Sequence, residues 1–224
     1  MNNLNHAAFI MDGNGRWGER KKKGRNFGHI KGVETVKRIV KCSIKYKIPI
    51  LTFYVFSSEN WKRPKKEIYF LLRLIKSYFL KEISNIKKQG IKINIFGDIE
   101  ELTSDVKSVL KKSMLLTKNN KKIIVNLCIN YGSKNEILRA FKKINLKKKI
   151  DLKTFEKNLY TKHLQHPDIL IRTGGHNRLS NFMLWQLAYS EIFFLKKLWP
   201  DFTTYDYLKI INKFRKIKRN FGSI

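Results

Sequence analysis

The sequence predicts an α/β protein: a single domain on a mainly parallel central β-sheet flanked by helices. Three observations predict it. Short apolar runs alternate along the chain with longer stretches of helical periodicity. The 224 residues, 42% apolar and 29% charged, are enough for one folded domain with a sizeable core. No repeat, Pro/Gly/Ser-rich linker or abrupt change of composition divides them, so residues 1–224 read as one unit.

Each element has its own signal. "HAAFIM" (6–11) is a short apolar run ending at Asp12, a buried strand. A helical pattern follows from Lys31, with Val33, Val36, Val40 and Ile44 at spacings of three and four. "PILTFYVFS" (49–57) is rich in β-branched and aromatic residues, a strand. Ile68, Leu71, Leu72, Ile75, Phe79, Ile83 and Ile86 share one face of a long helix that Gly90 ends. "IKINIFG" (91–97) alternates as a strand. A helix near 104–118, the strand "KIIVNLCIN" (122–130), a helix near 134–146 and the strand "DILIR" (168–172) come next. "FTTYDYLKIINKF" (202–214) reads as the last helix, with Thr203 or Thr204 as N-cap.

Ligands of such sheets bind outside the carboxyl ends of the strands. Four polar clusters, "DGNGRW", "SSENWKRP", "NYGSK" and "RTGGHNRLSN", each directly follow a predicted strand. They are expected to meet at one rim and form the site.

The first cluster contains Gly13, Gly15 and Gly18 at the G-x-G-x-x-G spacing of a dinucleotide loop. Its context argues otherwise. The residues after Gly18, "ERKKKGRNFGH", have no apolar face to open a helix, and the acidic candidate for a ribose, Glu34, falls inside a helical pattern. What remains is a glycine-bearing loop with exposed backbone N–H groups, one carboxylate and several cations. Backbone N–H groups and arginines bind phosphate oxygens. The carboxylate of Asp12 suits Mg²⁺, although on local sequence alone a turn or N-cap role is the better explanation of it. Arg172 and Arg178 flank two glycines near Ser180 and can clamp a diphosphate, while Arg16, Arg25 and His29 can serve a second anionic group.

Composition narrows the partners. Lys plus Arg number 48 against 17 Asp plus Glu, a formal net charge of +31, which favours phosphate-bearing partners. The lysines are spread along the whole chain, and no nucleic-acid motif is present, so no specific nucleic acid is expected. Cys42 and Cys128 lie in apolar stretches without metal spacing, and His163 with His166 is the only close histidine pair. The N-terminus "MNNLNH" has no signal pattern and no apolar run approaches the ~20 residues of a membrane span. A cytoplasmic protein is expected.

"MDGNGRW", "GH" at 28–29, "FSSENWKRP", "INYGSKNEI", "DILIRTGG", "RLSNFMLWQLAYSEIFF" and "LWPDF" together resemble the cis-prenyltransferase family, in order and over residues 6 to 222. The adjacent aspartates of the trans-prenyltransferases do not occur. The resemblance implies a hydrophobic tunnel beside the sheet, with Phe70, Leu72, Ile75 and Phe79 as its candidate wall, and a homodimer. It implies repeated condensation of isopentenyl diphosphate with an allylic diphosphate, farnesyl diphosphate, giving a long-chain cis-polyprenyl diphosphate such as undecaprenyl diphosphate, with Mg²⁺ as cofactor.

Carried over residue by residue, the resemblance makes Asp12 the essential loop carboxylate. Gly13, Asn14, Gly15, Arg16 and Trp17 complete that loop, which receives the allylic diphosphate with Arg25 and His29. Ser57, Ser58, Glu59, Asn60, Trp61 and Arg63 form the segment over the active site, and Arg172, Arg178 and Ser180 clamp isopentenyl diphosphate. Glu191 joins Asp12 at the metal. The base that removes the final proton stays open between Asp12, Asn60 acting with Ser57 and a water, and a diphosphate oxygen. Two departures from the family pattern stand out. His176 and Asn177 occupy the stretch before Arg178 where many bacterial members have a glutamate, and the tail "IKRNFGS" keeps Arg219 but has Ile217 and Asn220 at neighbouring cationic positions.

Overall fold

The computed structural model describes residues 2–144 and 151–220. Its centre is a six-stranded sheet: β1 (His6–Ile10), β2 (Ile50–Ser57), β3 (Ile91–Phe96), β4 (Ile123–Tyr131), β5 (Ile169–Arg172) and β6 (Glu191–Phe194). The spatial order is β3-β4-β2-β1-β5-β6, and every pairing is parallel. Strands buried on both faces read as continuous apolar runs, which is why β1 is buried at all five positions and was legible without alternation.

Among the described residues seven helices connect and cover the strands: α1 (Asn14–Arg20), α2 (Gly24–Lys45), α3 (Lys65–Lys88), α4 (Ser104–Thr117), α5 (Ser133–Lys142), α6 (Leu152–Glu156) and α7 (Thr204–Lys216). Thr203 is the N-cap of α7: its hydroxyl accepts from the Asp206 N–H while Asp206 reaches back to the Thr203 N–H, a capping box. One face of the sheet, through Phe9, Leu51, Phe53 and Val125, packs on α2, α3, α4 and α7 around the fully buried Trp199. The opposite face, through Ala8, Ile10 and Cys128, is covered chiefly by Phe182, Met183 and Leu187 from the segment between β5 and β6.

Three sequence expectations are corrected. The stretch after Asp12 is not a loop; it forms α1, which opens inside the glycine motif. Helix α2 begins at Gly24 rather than Lys31. β6 was not foreseen: it is a four-residue edge strand whose positions are alternately half-buried and exposed, so it has no apolar run to betray it. Helix α5 covers the helix expected near 134–146 only as far as Lys142, with Lys143 as its C-cap; residues 145–146 and the Phe221-Gly222 end of the tail lie outside the described residues.

His6 ties the sheet to the chain before β5. Its Nε2 lies 2.7 Å from Thr52 Oγ1 and its Nδ1 2.6 Å from the Gln165 carbonyl. Complete burial pulls its pKa down to about 4. The unfolded chain therefore takes up a proton here below about pH 6.5 and the folded chain only below about pH 4. This group's contribution is full above pH 6.5 and is lost as pH falls toward 4. Replacing it, in His6→Gln, should flatten the fall of melting temperature across that window relative to the unsubstituted protein; parallel curves would show that His6 does not titrate this way.

Candidate functional site

The parallel register brings the ends of β1 and β5 side by side, with Ile10 opposite Arg172. Asp12 follows β1 directly, and its carboxylate is held between two guanidiniums. Arg16 Nη2 donates to Oδ1 and Arg172 Nη2 to Oδ2, each at 3.0 Å. The Asp12 carbonyl accepts from the Thr173 hydroxyl at 2.8 Å and from the Trp199 N–H at 3.0 Å, so the backbone that carries the carboxylate is itself fixed. Gly13 continues with a φ of +107° as N-cap of α1, a conformation that glycine adopts without strain.

Arg172 is 4% exposed and organises the second cluster. Its Nη1 donates to Ser180 Oγ at 2.8 Å and to the Arg178 carbonyl. The Arg178 side chain is not drawn in; it is exposed, and no ion pair engages it among the described residues.

Helix α2 turns Arg25 and His29 toward Glu67 of α3. Arg25 Nε donates to Glu67 Oε2 at 3.1 Å, Arg63 Nη1 donates to Glu67 Oε1 at 2.9 Å, and His29 Nε2 lies 3.6 Å from the same oxygen. Burial alone would raise the Glu67 pKa, but Arg25, Arg63 and His29 together hold it below the usual range. His29 is pushed down to about 4 by burial and then by Arg63, so it is neutral at pH 7.

The segment after β2 forms a 3₁₀ turn, Ser58–Lys62, capped reciprocally by Ser57 and Asn60; the Ser57 N–H donates to Asn60 Oδ1 at 3.1 Å. Glu59 receives Asn181 Nδ2 at 2.7 Å, and Trp61 Nε1 donates to Asn130 Oδ1 at 2.8 Å. Trp17 lies at the outer side, donating to Asp201 at 2.6 Å and stacked on Phe27. Glu67 lies outside every motif and was missed by the sequence reading; Thr173, Asn130 and Asn181 lie inside quoted motifs but were not singled out, because their side chains hold the named residues.

Asp12, Asn14, His29, Ser57, Asn60, Arg63, Arg172 and Ser180 line one cavity of about 210 Å³. Three of its lining residues carry a buried polar atom with no hydrogen-bond partner: Asn14 Oδ1, His29 Nε2 and Arg172 Nε. Buried polar groups are normally paired, so three orphans on one cavity mark a place shaped for a polar ligand. Met11, Asn14, His29, Val55 and Leu71 also line a neighbouring apolar cavity of about 120 Å³, with Val33, Val36, Ile75, Tyr78 and Phe79. Of the four residues expected as a tunnel wall, Ile75 and Phe79 line this apolar cavity. Phe70 and Leu72 do not: they sit on the side of α3 turned toward α4, at a cleft shared with Val106.

Glu191 is the other exception. It opens β6 opposite Ile169, which pairs with Ala7, five residues before Asp12. At ~3.3 Å per residue the two carboxylates are roughly 15 Å apart along the strands alone. Glu191 Oε1 instead lies 3.8 Å from Arg219 Nε. Within one chain the two do not share a metal shell, and among the described residues no three metal-ligating side chains stand together.

The glycines of α1 and α2 have a packing role. A Cβ on Gly28 would run into the Asn14 carbonyl, and one on Gly18 into the Gly24 carbonyl. The two helices therefore touch backbone to backbone, which sets Asn14 and His29 at the cavity. Gly28→Ala should cost about 1–3 kcal/mol or more by overpacking and lower the melting temperature by several degrees. Its turnover should fall further than the folded fraction does; an unchanged melting temperature would show that the helices have room to part.

A family model named Prenyltransf, described as "Putative undecaprenyl diphosphate synthase", matches residues 10–222. An isoprenyl transferase of Prochlorococcus marinus is 46% identical over 98% of this chain and 84% of its own length. A protein of Buchnera aphidicola named ditrans,polycis-undecaprenyl-diphosphate synthase ((2E,6E)-farnesyl-diphosphate specific) is 42% identical over 99% of this chain and 92% of its own. Among solved structures, a lavandulyl diphosphate synthase from Lavandula x intermedia, in complex with dimethylallyl diphosphate, superposes with a TM-score of 0.93. It is 32% identical, over 98% of each chain. A probable undecaprenyl diphosphate synthase from Campylobacter jejuni gives 0.86 at 33% identity over the full length of both.

Proposed function

The chain belongs to the undecaprenyl diphosphate synthase family of prenyltransferases, and we infer that it is the transferase that condenses isopentenyl diphosphate with farnesyl diphosphate to make undecaprenyl diphosphate. One observation in the molecule carries the reading. The polar cavity with its three orphaned atoms, beside the ends of β1 and β5, opens directly onto an apolar one. A prenyl diphosphate is such a ligand, with an anionic head and a hydrocarbon tail.

In this reading Arg25 and His29, with the N–H groups at the start of α1, receive the allylic head. Arg172, Arg178 and Ser180 receive the isopentenyl diphosphate. The free Nε of Arg172 supplies a donor without breaking its bond to Asp12. The C–O bond of the allylic substrate breaks, the isopentenyl double bond attacks the cation-like carbon, and a proton leaves. The apolar cavity is the start of the tunnel for the growing tail, and its lining excludes water from the carbon that carries positive charge. Asn60, whose Oδ1 is held by the Ser57 N–H, is placed to orient a water at the cavity wall.

Mg²⁺ fits the donor set, since a hard cation that keeps waters and takes substrate phosphates needs only one or two protein carboxylates, and Asp12 is one. It would stabilise negative charge on the departing diphosphate. Glu191 enters such a shell only through a second chain. The half-exposed Ile192 and Phe194 on the β6 edge support a homodimer formed there. No helix among the described residues is long and apolar enough to cross a membrane, so contact with the bilayer would be peripheral, through the lipid product.

The reading is tested by incubating the protein with labelled isopentenyl diphosphate, farnesyl diphosphate and Mg²⁺ and sizing the lipid product. Asp12→Ala should lower kcat by about 10³ or more with a smaller effect on substrate binding, because the carboxylate acts on developing charge. Near-normal kcat would remove Asp12 from the chemistry. Arg172→Lys keeps charge but loses the planar fork, so KM for isopentenyl diphosphate should rise more than KM for farnesyl diphosphate. Equal weakening of both substrates would contradict two separate clamps.

A further inference from the structure

A second cavity adjoins the apolar one at Tyr78 and Phe79. Val36, Tyr78, Phe79 and Leu127 line both, and the second, of about 250 Å³, lies farther from the rim. Its inner wall is the sheet, through Ile91, Ile93 and Val125. Its outer side is the seam between α2 and α3, and there Lys37 Nζ donates to Glu82 Oε1 at 2.7 Å. Both residues line the cavity. Each is also held by a neighbour: Lys37 Nζ lies 5.2 Å from the centre of the Tyr78 ring, and Asn85 Nδ2 donates to Glu82 Oε2 at 3.3 Å. The hydrogen bond from Lys37 is the main cause that holds the Glu82 carboxyl below its ordinary range.

The position of this pair is what gives it a role. The other polar links between α2 and α3 are at the rim, from Arg25 and His29 to Glu67. The two helices are therefore pinned at both ends with cavity between them. We propose that the Lys37–Glu82 ion pair is a strap across the far end of the cavity that fixes the length of the polyprenyl product. The proposal rests on the reading of the cavity as the tunnel for the growing chain.

The physical argument has two parts. Each added isoprene unit is drawn inward because it leaves water for an apolar wall. The side chains of Lys37 and Glu82 are 38% and 17% exposed, so the pair is hydrated from outside. A tail that reaches it must either strip that water or part the two charges, and both oppose further growth. Separating α2 from α3 to make more room also requires breaking the pair. Elongation then stops where hydrocarbon meets the strap.

The test uses the full-length protein with labelled isopentenyl diphosphate, farnesyl diphosphate and Mg²⁺, and reads two quantities, product length and the rate of the first condensation. Lys37→Met/Glu82→Leu removes both charges at similar volume, and Glu82→Gln keeps the shape while weakening the bond. Both should lengthen the main product by at least one five-carbon unit and leave the first condensation unchanged, because that step occurs at the rim. The reversed pair, Lys37→Glu/Glu82→Lys, should return the product to its original length. An unchanged or shortened product from the folded double variant overturns the proposal. Should the double variant fail to fold, Glu82→Gln alone decides by the same criterion. Failure of the unsubstituted protein to elongate farnesyl diphosphate at all would instead overturn the proposed function.

Discussion

The ion pair between Asp12 and Arg172 is the constraint on which the site depends. It joins the ends of two neighbouring parallel strands, and it forms because the register sets Ile10 opposite Arg172. Arg172 is almost fully buried, so a carboxylate and polar partners close by must replace the hydration its charge has lost. Asp12, Ser180 and the Arg178 carbonyl supply them while leaving Nε free. Donors fixed before the ligand arrives need no reorganisation when charge develops, which is where electrostatic catalysis gains most.

The topology explains why this pair lies at that place. From β1 the chain passes through α2 to β2 on one side, while β5 returns to the other side of β1. Connections leave in opposite directions at the β1–β5 boundary, and a crevice opens where no crossover covers the strand ends. Three of the four polar clusters project their side chains toward that crevice. The fourth, after β4, acts at one remove: Asn130 holds Trp61, and the N–H groups of Ser133 and Lys134 hold Asn181, which in turn holds Glu59.

How much of this could be read from the sequence follows from the physics of each part. The four inner strands announce themselves because burial on both faces demands largely apolar runs, and β3, at one edge, shows through its alternation. β6 does not, because an edge strand with exposed Ile192 and Phe194 is only half apolar in effect. Helix α1 escapes a periodicity reading because it packs through glycine backbones and has no apolar face to display. The motifs named Asp12, Asn14, His29, Asn60 and Arg172, and these residues line one cavity. The motifs were silent on Glu67, because a carboxylate that gathers cations from a position 42 residues after Arg25 leaves no local trace. The placement of Glu191 beside Asp12 failed for a related reason: a motif gives order along the chain, and only the register shows that β6 begins at the other end of the sheet.

The junction between polar and apolar cavity rests on one residue with no side chain. At Gly32 the Asn14 side chain and the Trp199 ring both approach so closely that a Cβ would collide with the amide oxygen of Asn14. The Gly32 carbonyl accepts the Trp199 Nε1–H at 2.9 Å, which anchors α2 to the core beneath it. One turn on, Val33 and Val36 keep the α2 face of the cavity shallow, whereas α3 contributes the longer Leu71, Ile75 and Tyr78. In the proposed reading the space admits both a diphosphate and a hydrocarbon, and that requires this asymmetry. The polar atoms of Asn14 and His29 have to reach the edge of the apolar wall without entering it, and only small residues on α2 leave them that margin.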